Sequence, residues 1–232
     1  MKKKILVTRK LLIENEEKLK ELFDVKLNIK DELHTSDEIL ELSKDCDGIL
    51  SAITDQFNKE LVEKLSPSVK IIANFAVGFG NIDVNAATKK NIVVTNTPEV
   101  LDDSTADISI LLLLGASRKV LEARRAAELQ NWKWSADFML GKQMSNKRLG
   151  ILGMGRIGRA VAKRARGFNM EIHYHNRSQL SKDLEEGAIY HKTVKDLFNC
   201  SDFLSINCPA TKETNKIINK ETIAFLPDNV VI

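Results

Sequence analysis

The 232-residue sequence contains few cysteines, few prolines and no long apolar run, and each shortage excludes a class of protein. Its three cysteines, Cys46, Cys200 and Cys208, form no close pair and have no histidine at a spacing typical of zinc sites. We therefore predict a reduced chain without disulfides or a metal site. Only four prolines, beside 43% apolar residues, exclude collagen-like and disordered chains.

Membrane spans, export signals and an excess of basic charge are also missing. The longest apolar run, residues 110–116, is much shorter than a bilayer span. The apolar residues 5–7 follow three lysines but are interrupted at once by Thr8 and Arg9, so they are too short for a signal peptide. A net charge of +3, from 35 Lys+Arg and 32 Asp+Glu, is too balanced for a nucleic-acid binder. We predict a cytoplasmic protein with neither a membrane nor a nucleic-acid partner.

The sequence does contain apolar β-rich runs that alternate with amphipathic stretches, which is typical of βαβ units on parallel sheets. The fold class predicted is α/β, with two doubly wound domains at residues 1–98 and 99–232. Strands are predicted at 4–7, 25–29, 48–53, 69–73, 92–95, 148–152, 171–175, 188–190 and 203–207.

Three further predictions concern helices and the last residues. Helices are predicted near residues 11–22, 36–45, 58–65 and 83–90. Residues 102–130 predict one long helix, capped by Asp103 and Ser104, whose apolar stretch 110–114 should be buried. Residues 228–232 predict a turn that leads into a buried strand, and we interpret the chain as C-terminally truncated there.

A glycine-rich motif follows the predicted strand 148–152 and opens a helix. The dinucleotide fingerprint G-x-G-x-x-G is matched by Gly153, Met154, Gly155, Arg156, Ile157 and Gly158. Gly153 would make the tight turn, Gly155 would admit a pyrophosphate, and Gly158 would pack the helix on the sheet. The helix N-terminus supplies N–H donors to the phosphates. The alternative is a glycine turn without a ligand.

The end of the next strand indicates which dinucleotide binds. An Asp or Glu there would accept from the ribose 2′-hydroxyl, but this sequence has Asn176, Arg177 and Ser178. Arg177 would pair with a 2′-phosphate, and Asn176 and Ser178 would donate to its oxygens. The prediction is NADP in preference to NAD, with NAD possible if Arg177 is only a solvated surface charge.

Several ordered motifs together resemble the D-isomer-specific 2-hydroxyacid dehydrogenases, most closely the glyoxylate/hydroxypyruvate reductase (D-glycerate dehydrogenase) branch. They lie at residues 74–83, 105–107, 132–141, 153–158, 173–177 and 207–214. The resemblance implies a flavodoxin-like substrate domain at 1–98, a Rossmann cofactor domain at 99–232 that is incomplete at its C-terminus, and a homodimer. It also implies hydride transfer from NADPH or NADH to a small 2-oxoacid such as glyoxylate or hydroxypyruvate.

The resemblance also assigns site residues. Val77 and Gly78 match the segment that holds the substrate carboxylate through backbone N–H groups, although alone they would indicate a simple glycine turn. Thr105 matches a position near the nicotinamide half of the cofactor. Cys208 and Pro209 match the segment that lines the adenosine side.

The tryptophans and the histidines have other expected roles. Trp132 and Trp134 resemble the family's arm, which packs on a partner subunit, although a local aromatic cluster would explain them as well. The four histidines, at positions 34, 173, 175 and 191, are interpreted as bystanders of the chemistry.

The family's carboxylate-binding Arg, its Glu and its proton-donating His have no counterpart in residues 1–232. The catalytic residues are therefore expected beyond Ile232, and residues 1–232 alone are expected to be inactive. An alternative is a non-catalytic module of the same fold that senses a dinucleotide. A methyltransferase that binds S-adenosylmethionine is a third interpretation, but the third glycine and Arg177 suit a dinucleotide better. The physiological substrate and the direction of the reaction stay open.

Overall fold

The computed structural model describes residues 2–130 and 133–232, which form two compact units, Met1–Val100 and Leu101–Ile232. Each unit is an α/β layer structure around its own parallel sheet, so the predicted fold class is confirmed. No helix in the described part of the chain combines the length and the apolar character needed to cross a membrane.

The first unit alternates five strands with four helices, in the order predicted. In chain order they are β1 (Lys4–Val7), α1 (Ile13–Leu22), β2 (Asp24–Leu27), α2 (Ser36–Ser43), β3 (Gly48–Ala52), α3 (Lys59–Lys64), β4 (Ile71–Phe75), α4 (Val84–Lys89) and β5 (Val93–Thr95). Side-chain caps begin three of these helices. Thr35 forms a capping box with Glu38, Asn58 accepts from the N–H of Leu61, and Asp83 accepts from the N–H of Ala86.

All strand pairs of the first sheet are parallel, in the order β2-β1-β3-β4-β5. This is the flavodoxin-like order, whose ligands bind beyond the carboxyl ends of the strands. Leu6, Ile49 and Ile72 on the three central strands pack with Leu61 and Ala87 from the helices, all at most 2% exposed. The turn after β4 therefore follows a central strand whose Ile72 packs in this core.

The second unit contains the remaining elements. They are α5 (Asp102–Ser117), α6 (Val120–Glu128), β6 (Arg148–Leu152), α7 (Arg156–Arg166), β7 (Glu171–His175), α8 (Lys182–Glu185), β8 (Ile189–Tyr190), α9 (Val194–Cys200), β9 (Phe203–Ile206) and α10 (Lys220–Ile223). Its sheet is parallel, in the order β8-β7-β6-β9, which corresponds to the first four strands of a Rossmann sheet.

Helices cover both faces of this second sheet. One apolar cluster joins Ile110 of α5 and Val161 of α7 to Tyr174 of β7. A separate cluster joins Phe198 of α9 to Leu204 of β9. Since successive side chains of a strand face opposite sides, His173 and His175 lie on the face opposite to Tyr174, which is the α9 side.

Two sequence predictions about the second unit are corrected. The predicted long helix 102–130 is two helices, because Lys119 is left-handed (φ 53°) and the carbonyl of Ser117 accepts from the N–H of Lys142 instead of continuing the helix. The predicted buried strand at 228–232 is a single parallel bridge from Val231 to Phe203, and Ile232 is 52% exposed.

The start and the exposure of α5 also differ from the prediction. The helix begins at Asp102 with no side-chain cap, and the hydroxyl of Ser104 donates to the carbonyl of Leu101 instead. Of the apolar stretch 110–114, Ile110 and Leu113 are buried, but Leu111 and Leu112 are 60% and 65% exposed. One face of α5 is therefore apolar and open within the single chain.

Candidate functional site

The glycine turn between β6 and α7 has a backbone that only glycine can adopt at its first position. Gly153 has φ 92°, and its N–H donates to the carbonyl of His175 at 3.0 Å. A Cβ on Gly153 would lie 2.5 Å from the backbone nitrogen of Cys208 and 2.7 Å from its Cα. The turn is therefore fixed both by a left-handed conformation and by the close approach of the segment after β9.

The other two glycines of the motif have opposite surroundings: Gly155 faces open space, and Gly158 is tightly packed. Gly155 is the N-cap of α7, makes no side-chain cap, and has nothing within 4 Å of the place where a Cβ would stand. A Cβ on Gly158 would overlap the carbonyl oxygen of Gly153, so Gly158 lets the helix lie directly on the turn. The first turn of α7 carries no acidic side chain, so the helix dipole favours an anion there.

Asn176, at the end of β7, supports the glycine turn. Its Oδ1 accepts from the N–H of Met154 at 2.7 Å, and its Nδ2 lies 3.4 Å from the carbonyl oxygen of Met154. The sequence predicts that Asn176 also donates to a 2′-phosphate, and this stays a prediction. The structure makes Asn176 a residue that positions Met154 and its neighbouring glycines.

A cleft of about 750 Å³ opens beside the glycine turn, at the carboxyl edge of the second sheet. The structure brings seven of the predicted cofactor residues to its lining: Gly153, Gly155, Asn176, Arg177, Ser178, Cys208 and Pro209. Arg177 and Ser178 are exposed there, without a carboxylate in the three residues that follow β7. This position, beyond the carboxyl ends of parallel strands, is where α/β sheets bind ligands.

Residues 209–214 form one wall of the cleft, and sequence reasoning missed most of them. Thr211, Glu213 and Thr214 line the cleft, and the hydroxyl of Thr214 donates to the carbonyl of Pro209 at 2.6 Å. A hydrogen bond from Thr211 lowers the pKa of Glu213, and the positive charge of Arg177 lowers it further. Burial raises the pKa of the Cys208 thiol, so this thiol stays neutral in the wall.

The other predicted cofactor residues do not line this cleft within the described part of the chain. Met154 is 1% exposed and belongs to the apolar core, and Ile157 packs against the same core. The guanidinium of Arg156 lies 3.6 Å from the carboxylate of Asp102. Thr105 is half-buried in the first turn of α5, where its N–H donates to the carbonyl of Leu101.

In the first unit, Val77 and Gly78 follow β4 in a turn that a buried amide network holds. Asn74 is 2% exposed, and its Nδ2 donates to the carbonyl of Gly78 at 2.9 Å and to Oδ1 of Asn81 at 3.0 Å. The Nδ2 of Asn96 donates to the carbonyl of Val77 at 2.7 Å. Sequence reasoning missed these asparagines because a polar residue at a strand end has no distinctive pattern.

The N–H groups of Val77 and Gly78 donate to no acceptor among the described residues. No residue from 76 to 82 has a positive φ, and a Cβ on Gly78 would meet nothing within 4 Å. The turn therefore contains no left-handed residue, and its backbone conformation does not require glycine at position 78. Its two free N–H groups are nevertheless available to a carboxylate.

The predicted interface segment is described only in part. Trp132 lies outside the described residues, and Trp134 is 84% exposed. The apolar side chains of Ile108, Leu111 and Leu112 lie one turn apart on the open face of α5.

The glycine turn, the open start of α7 and the cleft define a Rossmann-type, dinucleotide-binding α/β protein. Residues 110–232 match the family model of the D-isomer specific 2-hydroxyacid dehydrogenase, NAD binding domain. The glyoxylate reductase of Korarchaeum cryptofilum is 41% identical over 235 residues, which cover the whole of this chain and 70% of that relative. The chain belongs to the family of D-isomer specific 2-hydroxyacid dehydrogenases, which are oxidoreductases, so the resemblance stated from its motifs is confirmed.

Solved structures have the same fold. The glyoxylate reductase from Paecilomyes thermophila has a TM-score of 0.86 and 34% identity, over 98% of this chain and 71% of that one. The NADPH-dependent glyoxylate/hydroxypyruvate reductase from Sinorhizobium meliloti, in complex with NADP and malonate, has a TM-score of 0.83 and 30% identity, over 97% of this chain and 68% of that one.

Proposed function

We propose that this chain binds a nicotinamide dinucleotide in the second unit and serves the reduction of a small 2-oxoacid such as glyoxylate or hydroxypyruvate. The observation that carries the proposal is the glycine turn, in which Gly153 is sterically required and Gly155 leaves open space before an uncapped helix. When bound, the nicotinamide supplies the hydride. The chain's own part is to bind and orient the two reactants.

The pyrophosphate would be held by the N–H groups at the start of α7. Gly155 allows the backbone to approach the phosphates, and the dipole of α7 favours their charge. Asn176 keeps the turn in this conformation through Met154. The wall formed by Cys208 and Pro209 would face the adenosine side.

The substrate carboxylate would be held in the first unit by the free N–H groups of Val77 and Gly78. Three features of the turn support this role: the central, paired strand β4 that precedes it, its amide network and its open space at Gly78. Backbone N–H donors to an ionised acceptor each contribute about 1.5–3 kcal/mol. They would select 2-oxoacids over simple aldehydes.

Within this proposal, the preferred dinucleotide is NADPH, because Arg177 and Ser178 stand where a ribose-binding carboxylate would otherwise repel a 2′-phosphate. Calorimetry should give NADPH a dissociation constant at least about tenfold lower than that of NADH. Arg177→Ala should remove this difference and leave NADH binding unchanged. Arg125→Ala, an exposed arginine on α6, is the matched control. Equal dissociation constants for the two cofactors in the unmodified protein would contradict the preference.

We further propose that residues 1–232 alone do not turn over substrate. A carbonyl that receives a hydride needs a proton donor and a fixed cation, and loss of one such group lowers the rate about 10²–10³-fold. His175 is the histidine that lines the described cleft, and its Nδ1 lies 2.8 Å from the carbonyl oxygen of His191. It lies beside Asn176 and Arg177, at the end proposed for the adenosine ribose.

Activity is tested by the oxidation of NADPH with glyoxylate and with hydroxypyruvate. Residues 1–232 should show no measurable turnover. A chimera that continues residues 1–232 into the C-terminal segment of the Korarchaeum cryptofilum glyoxylate reductase should reduce both compounds. Turnover by residues 1–232 at the rate of the chimera would refute the proposal that these residues alone are inactive. A chimera that binds NADPH but reduces neither compound would favour the dinucleotide-sensing alternative.

The open apolar face of α5 supports a two-fold homodimer as the proposed assembly. Ile108, Leu111 and Leu112 are 54%, 60% and 65% exposed, an apolar stripe that a second copy of the same helix would cover.

A further inference from the structure

Four side chains that the proposed function does not use meet on the α9 side of the second sheet. Glu171 and His173 are on β7, His191 follows β8, and Cys200 is the last residue of α9. His173, His191 and Cys200 do not line the dinucleotide cleft as described. They are 18 and 9 residues apart in sequence, and only the fold brings them together.

The nitrogen and sulfur atoms of this cluster lie at distances suited to a shared ligand. Nδ1 of His173 is 2.8 Å from Nε2 of His191, which is 3.5 Å from Sγ of Cys200. All three donor atoms lie within 4.8 Å of one another. On its other side, Nε2 of His173 is 2.5 Å from Oε1 of Glu171.

We propose that His173, His191 and Cys200 bind one zinc ion, with Glu171 as the residue that orients His173. Tetrahedral zinc with Zn–N near 2.0–2.1 Å and Zn–S near 2.3 Å needs donor atoms about 3.4–3.6 Å apart. The distance from His191 to Cys200 already meets this need. The two imidazole nitrogens would separate by about half an ångström as zinc replaces the proton between them, and Nδ1 of His173 and Sγ of Cys200, which lie within 4.8 Å of one another, would take up the same spacing.

The donor set selects the metal. Two imidazoles and a thiolate are ligands of zinc and other borderline or soft cations, whereas magnesium and calcium require oxygen ligands. The carboxylate of Glu171 beside Nε2 of His173 is the outer partner that metal-bound histidines commonly have, and it leaves Nδ1 to face the ion. The thiolate and this carboxylate together balance the charge of a divalent cation.

The site is also accessible. His173 is 6% exposed, but His191 and Cys200 are half-buried, and Glu171 is exposed. An ion therefore has a path from solvent, and water would supply the fourth ligand. Such an ion would link β7, the end of β8 and the end of α9, so it would stabilise the second unit.

Cobalt(II) is the probe of choice, because a tetrahedral cobalt–thiolate site absorbs strongly in the visible and shows a sulfur-to-cobalt charge-transfer band. The reduced, metal-free protein, titrated with Co²⁺ and then with Zn²⁺, should develop both features at one equivalent and lose them to zinc. Cys200→Ser should abolish the charge-transfer band. Cys46→Ser, a change to a buried thiol of the first unit, should leave it intact.

Glu171→Gln is the decisive variant, because its side chain is exposed and its loss does not threaten folding. It should keep the band and weaken zinc binding about 10–100-fold, the usual cost of losing an outer partner of a histidine ligand. Zinc should raise the melting temperature of the unmodified protein and not that of Cys200→Ser. Absence of the charge-transfer band, or its survival in Cys200→Ser, would overturn the proposal and leave a hydrogen-bonded cluster only.

Discussion

Three glycines of the second unit allow the effect of the glycine turn on stability to be measured separately from its effect on NADPH binding. Gly153 has φ 92° and no room for a Cβ, Gly187 has φ 81° and free space, and Gly155 has free space without a positive φ. Each is replaced by alanine in turn. The variants differ by one methyl group and separate backbone strain, steric overlap and ligand contact.

The magnitudes follow from these three environments. Gly187→Ala should lose about 1–2 kcal/mol, the cost of a left-handed alanine. Gly153→Ala carries the same cost and adds an overlap with the backbone of Cys208, for which overpacked sites lose a further 1–3 kcal/mol or so. Gly155→Ala should lose about 0.5–1.5 kcal/mol, because alanine is a poorer N-cap than glycine. It should also weaken NADPH binding at least tenfold, because its methyl group occupies the approach to α7.

Stability is measured by urea unfolding followed by circular dichroism, and affinity by titration calorimetry with NADPH. The slope of the unfolding transition should stay constant across the three variants, so that a shifted midpoint reports stability alone. Gly153→Ala as stable as Gly187→Ala would refute the steric argument at the turn. Unchanged NADPH affinity in Gly155→Ala would refute the assigned approach of the phosphates.

Three further predictions concern a buried phenol, the turn after β4 and the face of α5. Burial, with a hydrogen bond to Glu185, raises the pKa of Tyr174 to about 12. The contribution of this phenol to stability is therefore complete below about pH 10 and is lost as the pH rises toward 12. Tyr174→Phe should lack this decline in urea unfolding between pH 8 and 11. Asn74→Ala should destabilise the protein by about 1–3 kcal/mol in the same assay, because Asn81 and the carbonyl of Gly78 lose buried partners; an unchanged midpoint would show that the network does not hold the turn. Leu112→Asp should convert the dimer to a monomer in sedimentation velocity, whereas Leu12→Asp, at an exposed leucine of the first unit, should not. A monomeric unmodified protein at micromolar concentration would contradict the interface.

The periodic features of the fold were predictable from the sequence. The short run at residues 148–152 becomes a strand with the predicted bounds, because a parallel strand is buried on both faces and needs a nearly continuous apolar run. The break at Lys119 was not predictable. It depends on Lys142, which lies 25 residues from Ser117 in sequence and takes the carbonyl of Ser117 that would otherwise extend the helix.

The candidate site also has parts that could be predicted from the sequence and parts that could not. The spacing of Gly153, Gly155 and Gly158 is typical of a tight turn between a strand and a helix, so the turn could be placed from the sequence. The side chain of Asn176 could point either to a ligand or to the turn, and only the fold shows that it contacts Met154. The cluster of His173, His191 and Cys200 has no local spacing pattern, since three separate elements contribute to it.

The crystal structure of the protein with bound NADPH tests the central claim most directly. We expect the pyrophosphate within hydrogen-bond distance of the backbone N–H groups at the start of α7, with the 2′-phosphate beside Arg177 and Ser178. Density for NADPH outside the cleft formed by residues 152–155, 175–178 and 207–214, or none at saturating concentration, would contradict the account.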